Sequence, residues 1–141
     1  MHRSWSRVAV IALSAMAWSC SSATEPLDTR VDFERTLWLG RHPQAYTFEV
    51  AITAFLSRPG YVHVQVSDGR VVDARDAAGQ PIAGYTLTVD GIWDAILAAR
   101  ASNALNSATF GPWGVPAEVD VGELANDSGA HYSVRNFVVI R

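Results

Sequence analysis

The residues best equipped for chemistry in this 141-residue chain are one cysteine, a few histidines and a group of oxygen donors. Cys20 is the only cysteine. An unpaired cysteine in an exported chain either joins another molecule or stands as a reactive thiol. Here it closes an apolar run, and the chemistry that fits that place is attachment of lipid to its sulfur. His42 precedes a proline, His63 falls on the polar face of an alternating segment, and His131 starts another such segment. None has a second strong ligand at a metal-binding spacing such as H-x-x-x-H, so they read as exposed imidazoles on a sheet. Asp120, Glu123, Asn126 and Asp127 offer hard oxygens of the kind calcium takes. They lack the one-three-five spacing and central glycine of a calcium loop. Asp68 reads as a turn former, and Asp73 and Asp76 as solvated. There is no G-x-S-x-G, no phosphate-cradling glycine loop and no cysteine beyond Cys20 to act as nucleophile. The expectation is therefore no catalytic residue, no metal and no cofactor.

Cys20 is delivered by a segment with its own logic. Arg3 and Arg7 give a basic start, and residues 8–18 (VAVIALSAMAW) form an apolar run of eleven residues. That is too short to cross a bilayer as a helix, which takes about 20 apolar residues. A basic start, a short apolar middle and small residues at the exit describe a secretory signal. The exit Ala17-Trp18-Ser19-Cys20 resembles the bacterial lipobox, in which a peptidase cuts before a cysteine that carries diacylglycerol. It departs from that pattern at Ala17, where leucine is usual, and at the bulky Trp18. The alternative is an ordinary signal cleaved nearby, with Cys20 removed or left free.

Cleavage after residue 19 leaves nine arginines against fourteen acids, a balance of −5, and no lysine occurs anywhere. An acidic chain without a basic cluster argues against nucleic acid and against electrostatic adsorption to anionic lipid. The expected partners are the membrane, through lipid on Cys20, and an envelope protein or other envelope component. Without internal cysteine pairs the domain is held by its apolar core, to which 49% hydrophobic residues contribute.

Residues 20–27 read as the lipidated cysteine and a short tether, and residues 28–141 as one domain. Asp28 is a fair N-cap for a helix over 29–39, with Phe33 and Leu37 on one face and Val31 and Trp38 extending it. Gly40 and His42-Pro43 stop it. Residues 46–56 alternate as a strand with Tyr46, Phe48, Val50 and Ile52 to one side. Val62, Val64 and Val66 repeat the pattern, and Asp68-Gly69 is a strong hairpin signal leading into 70–75. Thr88 caps a second, longer helix over 89–104, whose stripe is Ile92, Trp93, Ile96 and Leu97. Strands follow from 107 to 110, across 117–121, and from 130 to about 140. The fold class is α+β: an antiparallel sheet of five or six strands, one long helix packed on a face and a short N-terminal helix.

Between two of those strands stands Gly111-Pro112-Trp113-Gly114-Val115-Pro116. Two prolines and two glycines in six residues forbid regular pairing and fix a bend. Trp113 has no alternating neighbours to place it in the core, and its indole is of the type found at binding hot spots. Pro112, Trp113 and Pro116 are therefore the candidate interaction residues. The competing reading has Trp113 fold back over a helix end and close the core.

From Leu37 to the C-terminus the chain resembles a family of bacterial exported lipoproteins whose domain has no known function. The resemblance lies in Trp38 followed by Tyr46-Thr47-Phe48, the hairpin residues 63–72, Thr88-Val89-Asp90-Gly91-Ile92-Trp93, the 110–116 turn with Asp120, and residues 132–137. This chain has Ala54-Phe55-Leu56 where such proteins commonly carry Cys-x-Cys, so no role of that pair carries over. The resemblance implies export, lipidation and the α+β fold, and implies no activity.

The function expected is that of a non-enzymatic, lipid-anchored envelope module that acts by binding. Two alternatives stay open: a small exported hydrolase or metal-dependent enzyme with a scattered site, and an unanchored secreted inhibitor-like or chaperone-like module.

Overall fold

A computed structural model describes residues 25–54, 60–123 and 128–141. The signal, Cys20 and the start of the tether lie outside the described residues.

The first helix, α1 (Leu27–Arg41), starts two residues earlier than expected. Pro26 stands at its N-cap, no side chain caps it, and Asp28 is inside the first turn, where its charge meets the positive end of the helix. Val31 and Trp38, two turns apart, are its buried residues. Phe33 is 58% exposed, against the expectation that it would pack. It follows Val31 by two positions, about 200° around the helix, so both cannot face the sheet.

Three strands follow as a meander: β1 (Ala45–Thr53), β2 (Val62–Ser67) and β3 (Arg70–Arg75). Asp68 and Gly69 take φ values of 50° and 73°, the two left-handed positions of a tight hairpin turn. Helix α2 (Val89–Ala101) is capped by Thr88, whose hydroxyl accepts from the Gly91 amide at 3.1 Å. It ends three residues short of expectation because Asn103 turns left-handed, with φ 55°. The Ala104 and Asn103 amides then close on the Ala99 and Arg100 carbonyls. At 13 residues α2 is shorter than the 15-residue α1, so there is no single long helix beside a short N-terminal one.

The chain continues through β4 (Leu105–Phe110), a 3₁₀ turn at Pro112–Gly114, β5 (Pro116–Val121) and β6 (Ala130–Val139). All six strands form one antiparallel sheet in the order β3-β2-β1-β6-β5-β4. Its inner face buries Tyr46, Phe48, Val50, Val64, Val66, Val119 and Val134 against Val31, Trp38, Ile92, Trp93 and Ile96 of the helices. The two helices are tied by Asp90 in the first turn of α2, which accepts from the Trp38 indole at 2.9 Å and meets His42 at 2.9 Å. The alternate residues of the strands, among them Thr47, Glu49, Glu118, Asp120, His131 and Ser133, point to the other face, where Val138 is exposed as well.

One irregularity positions the candidate site. Between Thr47 and Glu49 the β1–β6 register slips, so that Asn136 and Phe137 together oppose Phe48. Asn136 has φ 53°, the signature of a β-bulge. Before the bulge the inward residues of β6 are Tyr132 and Val134; after it they are Phe137 and Val139. Phe137 thereby packs on Trp38 and Tyr46, with ring centroids 6.0 and 5.3 Å apart.

Candidate functional site

Two groups of residues have the composition of a site, on opposite sides of the sheet's far half. The first is polar. Ser107 of β4 opposes Asp120 of β5, Asp120 opposes His131 of β6, and Glu118 opposes Ser133. Cross-strand register therefore brings together residues that sequence spacing keeps apart. His131 meets Asp120 through Nδ1 at 2.6 Å and Glu118 through Nε2 at 2.9 Å. Ser107 donates to the other oxygen of Asp120 at 2.7 Å, and Ser133 donates to Glu118 at 2.8 Å. The Tyr61 hydroxyl completes the row at 2.9 Å from the Ser133 hydroxyl.

This corrects the reading of His131 as an imidazole with no strong partner. With a carboxylate at each nitrogen, the surroundings favour the protonated ring, which alone can donate at both. Its hydrogen bond to Asp120, reinforced by the charges of Asp120 and Glu118, lifts the imidazole above its usual 6.5. Hydrogen bonds from Ser107 and His131 hold the Asp120 carboxyl below its ordinary range.

The row contains Ser, His and Asp without being a hydrolytic triad. In a triad the serine hydroxyl gives its proton to a free imidazole nitrogen. Here both serines donate to carboxylates, and both imidazole nitrogens are engaged. Among the described residues, no three His, Cys, Asp or Glu side chains are arranged to hold a metal ion. Asn126 and Asp127 of the imagined calcium group lie outside the described residues. Asp73 pairs with Arg75 at 2.8 Å, and Asp76 accepts the Ala78 and Gln80 amides within its own turn. Further along the polar face, Arg135 bonds Glu49 at 2.7 Å and lies 3.5 Å above the centre of the Tyr61 ring. That hydrogen bond holds the Glu49 carboxyl below its usual range.

The second group is apolar. The 111–116 turn is fixed from three directions. The Gly111 amide donates to the Val115 carbonyl at 2.8 Å. The buried Trp93 indole donates to the Gly114 carbonyl at 3.1 Å. Gly114, with φ 71°, lies so close to α1 that an added Cβ would meet the Glu34 carbonyl oxygen at 2.1 Å. Only glycine fits such an approach. Trp113 itself has φ 70°, a conformation that costs a bulky L-residue about 1–2 kcal/mol.

The structure separates the three candidate interaction residues. Pro112 is exposed, Trp113 is half-buried and Pro116 is buried at the start of β5. The Trp113 ring lies 6.4 Å from that of Phe137, and the Arg41 guanidinium at the end of α1 sits 5.7 Å from it. Trp113 thus neither closes the core completely nor projects freely.

Beside it opens a cleft of about 550 Å³. Pro112, Trp113 and Pro116 form one wall; Val134, Phe137 and Val139 of β6 form the other. Arg135 and Asn136 also line it, and among the described residues no acid does. The cleft exists because β5 pairs with β6 only as far as Glu118 with Ser133. Strand β5 itself begins only at Pro116, where the turn ends, while β6 runs on to Val139. Sequence reasoning found the turn but missed the β6 wall. The sequence carries no alternation that would have shown it, since residues 137–140 (FVVI) are all apolar.

Comparison with family models matches residues 30–139 to the family of unknown function DUF6174, and the chain belongs to that family. Neither the curated proteins nor the solved structures contain a match to it.

Proposed function

We propose that this chain is an exported, lipid-anchored binding module whose binding site is the cleft between the Trp113 turn and β6. The single observation that carries the reading is the cleft's construction. A preformed, mostly apolar concavity with a few polar groups is the usual form of a binding site. One wall holds a large aromatic in a strained backbone conformation, which persists only where its surroundings enforce it. Trp93 and Gly114 provide that enforcement from the core. Export and anchorage rest on the N-terminal signal and on the position of Cys20. Among the described residues no helix is long and apolar enough to cross a membrane.

The hydrolase reading has one observation in its favour, the Asp120–His131–Glu118 row. Its imidazole is engaged at both nitrogens, and its side chain is 31% exposed on an open sheet face. That arrangement favours a charged surface strut over a general base.

A photo-crosslinking residue at Pro112 in cells, with the same residue at exposed Val72 on the opposite sheet edge as control, tests the proposal. A discrete adduct from position 112 and none from 72 is the expected outcome. Equal labelling from both positions, or none from either, overturns it.

A further inference from the structure

The cleft has a property that its apolar lining does not explain: one of its walls is an unfinished strand edge. Resting on the reading of the cleft as the binding site, we infer that it takes an extended peptide segment, apolar on one side and carrying a carboxylate, which adds to β6 as a strand.

Three observations carry this. Residues 134–139 of β6 pair with β1 on one side, and on the β5 side no strand among the described residues pairs with them. The Ile140 amide donates to the Ala45 carbonyl, towards β1. Successive residues of a strand direct their backbone groups to opposite sides, so the Val139 amide and carbonyl point into the cleft. Unpaired edge groups of this kind are the template that β-strand addition uses. An alkyl chain or a compact apolar ligand would leave them unsatisfied.

The second observation is the alternation that an added strand would meet. Phe137 and Trp113 lie towards the helices, and exposed Val138 lies on the other face. Every second side chain of the segment would therefore contact the aromatic wall. The third is charge. The chain is acidic overall, with a formal charge of −3, yet no acid among the described residues lines the cleft. Arg41 over Trp113 has a ring contact and no carboxylate partner among its described interactions, while Arg135 is already paired with Glu49. Arg41 does not line the cleft itself; its guanidinium stands 5.7 Å from the Trp113 ring, which does, and a carboxylate carried by the segment would be received there.

The test is selection from a displayed library of random heptapeptides on the chain purified from its own envelope. Enriched sequences should alternate apolar residues and include Asp or Glu. A synthetic copy should slow hydrogen exchange at the Val139 amide and weaken by about tenfold or more when alternate backbone nitrogens are methylated. Arg41→Glu should weaken it comparably. Val139→Pro removes the amide that faces the cleft and should weaken the peptide by about tenfold or more beyond Val139→Ala, which trims the side chain and keeps the amide, with a urea melt confirming that β6 still pairs with β1. Binding that ignores backbone methylation and Val139→Pro overturns strand addition and leaves the cleft as a side-chain site. Protection of Val139 that grows with protein concentration and needs no peptide overturns it in favour of a second copy. No enriched peptide also overturns it, and an adduct at position 112 in cells would then show that the cleft reading survives.

Discussion

The Trp93 indole of α2 donates to the Gly114 carbonyl at 3.1 Å, so the turn that presents Trp113 hangs from the middle of the core. Trp93 is fully buried and stacks on Phe110 with ring centroids 5.1 Å apart. One side chain therefore joins helix, strand and turn. The consequence is that Trp113 inherits its place from residues that never reach the cleft.

Gly114→Ala is the sharpest probe of that support. Its Cβ would collide with the backbone of α1 at a positive φ. The expected loss is about 3 kcal/mol or more in a urea melt, as for other forced backbone clashes. Gly111→Ala is the control, since its nearest contact would be ordinary at 3.8 Å. That variant should stay within about 1 kcal/mol of the parent. Equal effects would show that the turn adapts, contrary to the account.

The row around His131 predicts a pH dependence of definite sign. The folded imidazole holds its proton more tightly than the unfolded one. Its contribution to stability is therefore complete below pH 6.5 and is lost as pH rises through the folded value. Asp120 behaves oppositely. Its contribution is present above 3.8 and is lost as pH falls through its lowered folded value. Proton NMR should find the His131 ring titrating above 6.5, and His131→Gln should flatten the alkaline side of the stability profile. A ring that titrates at or below 6.5 would contradict the double hydrogen bond.

The strand pattern was legible from alternation alone, because side chains such as Phe48, Val64 and Val119 must share one face. The Asp68-Gly69 hairpin and the Thr88 cap were also legible, since each depends on local backbone chemistry. Phe33 is misplaced because the expected stripe joins Phe33 and Leu37 to Val31 and Trp38, and the roughly 100° step of a helix sets those two pairs on different sides. The Asp120–His131–Glu118 row was invisible because it is made by register across three strands. Local spacing carries no trace of which residue will stand opposite which. The open edge of β6 was missed for a related reason: it follows from where pairing stops, at Glu118 and Ser133, and from the bulge at Asn136.

Anchorage has its own check. Intact mass spectrometry of the protein extracted from membranes should give a chain beginning at Cys20 with acyl mass added. An unmodified soluble chain that starts elsewhere would return the protein to the unanchored alternative, without bearing on the cleft.

The cleft itself is tested most directly by Trp113→Ala, followed by the yield of the adduct formed from position 112 in cells. Trp113 is half-buried, so its removal should cost about 1–2 kcal/mol, less than the roughly 3–5 kcal/mol expected for fully buried Trp93. With the fold retained, the adduct should fall by about tenfold, as for a central contact residue. An unchanged adduct yield in a folded Trp113→Ala protein would contradict the account, and so would a stability loss as large as that of Trp93→Ala.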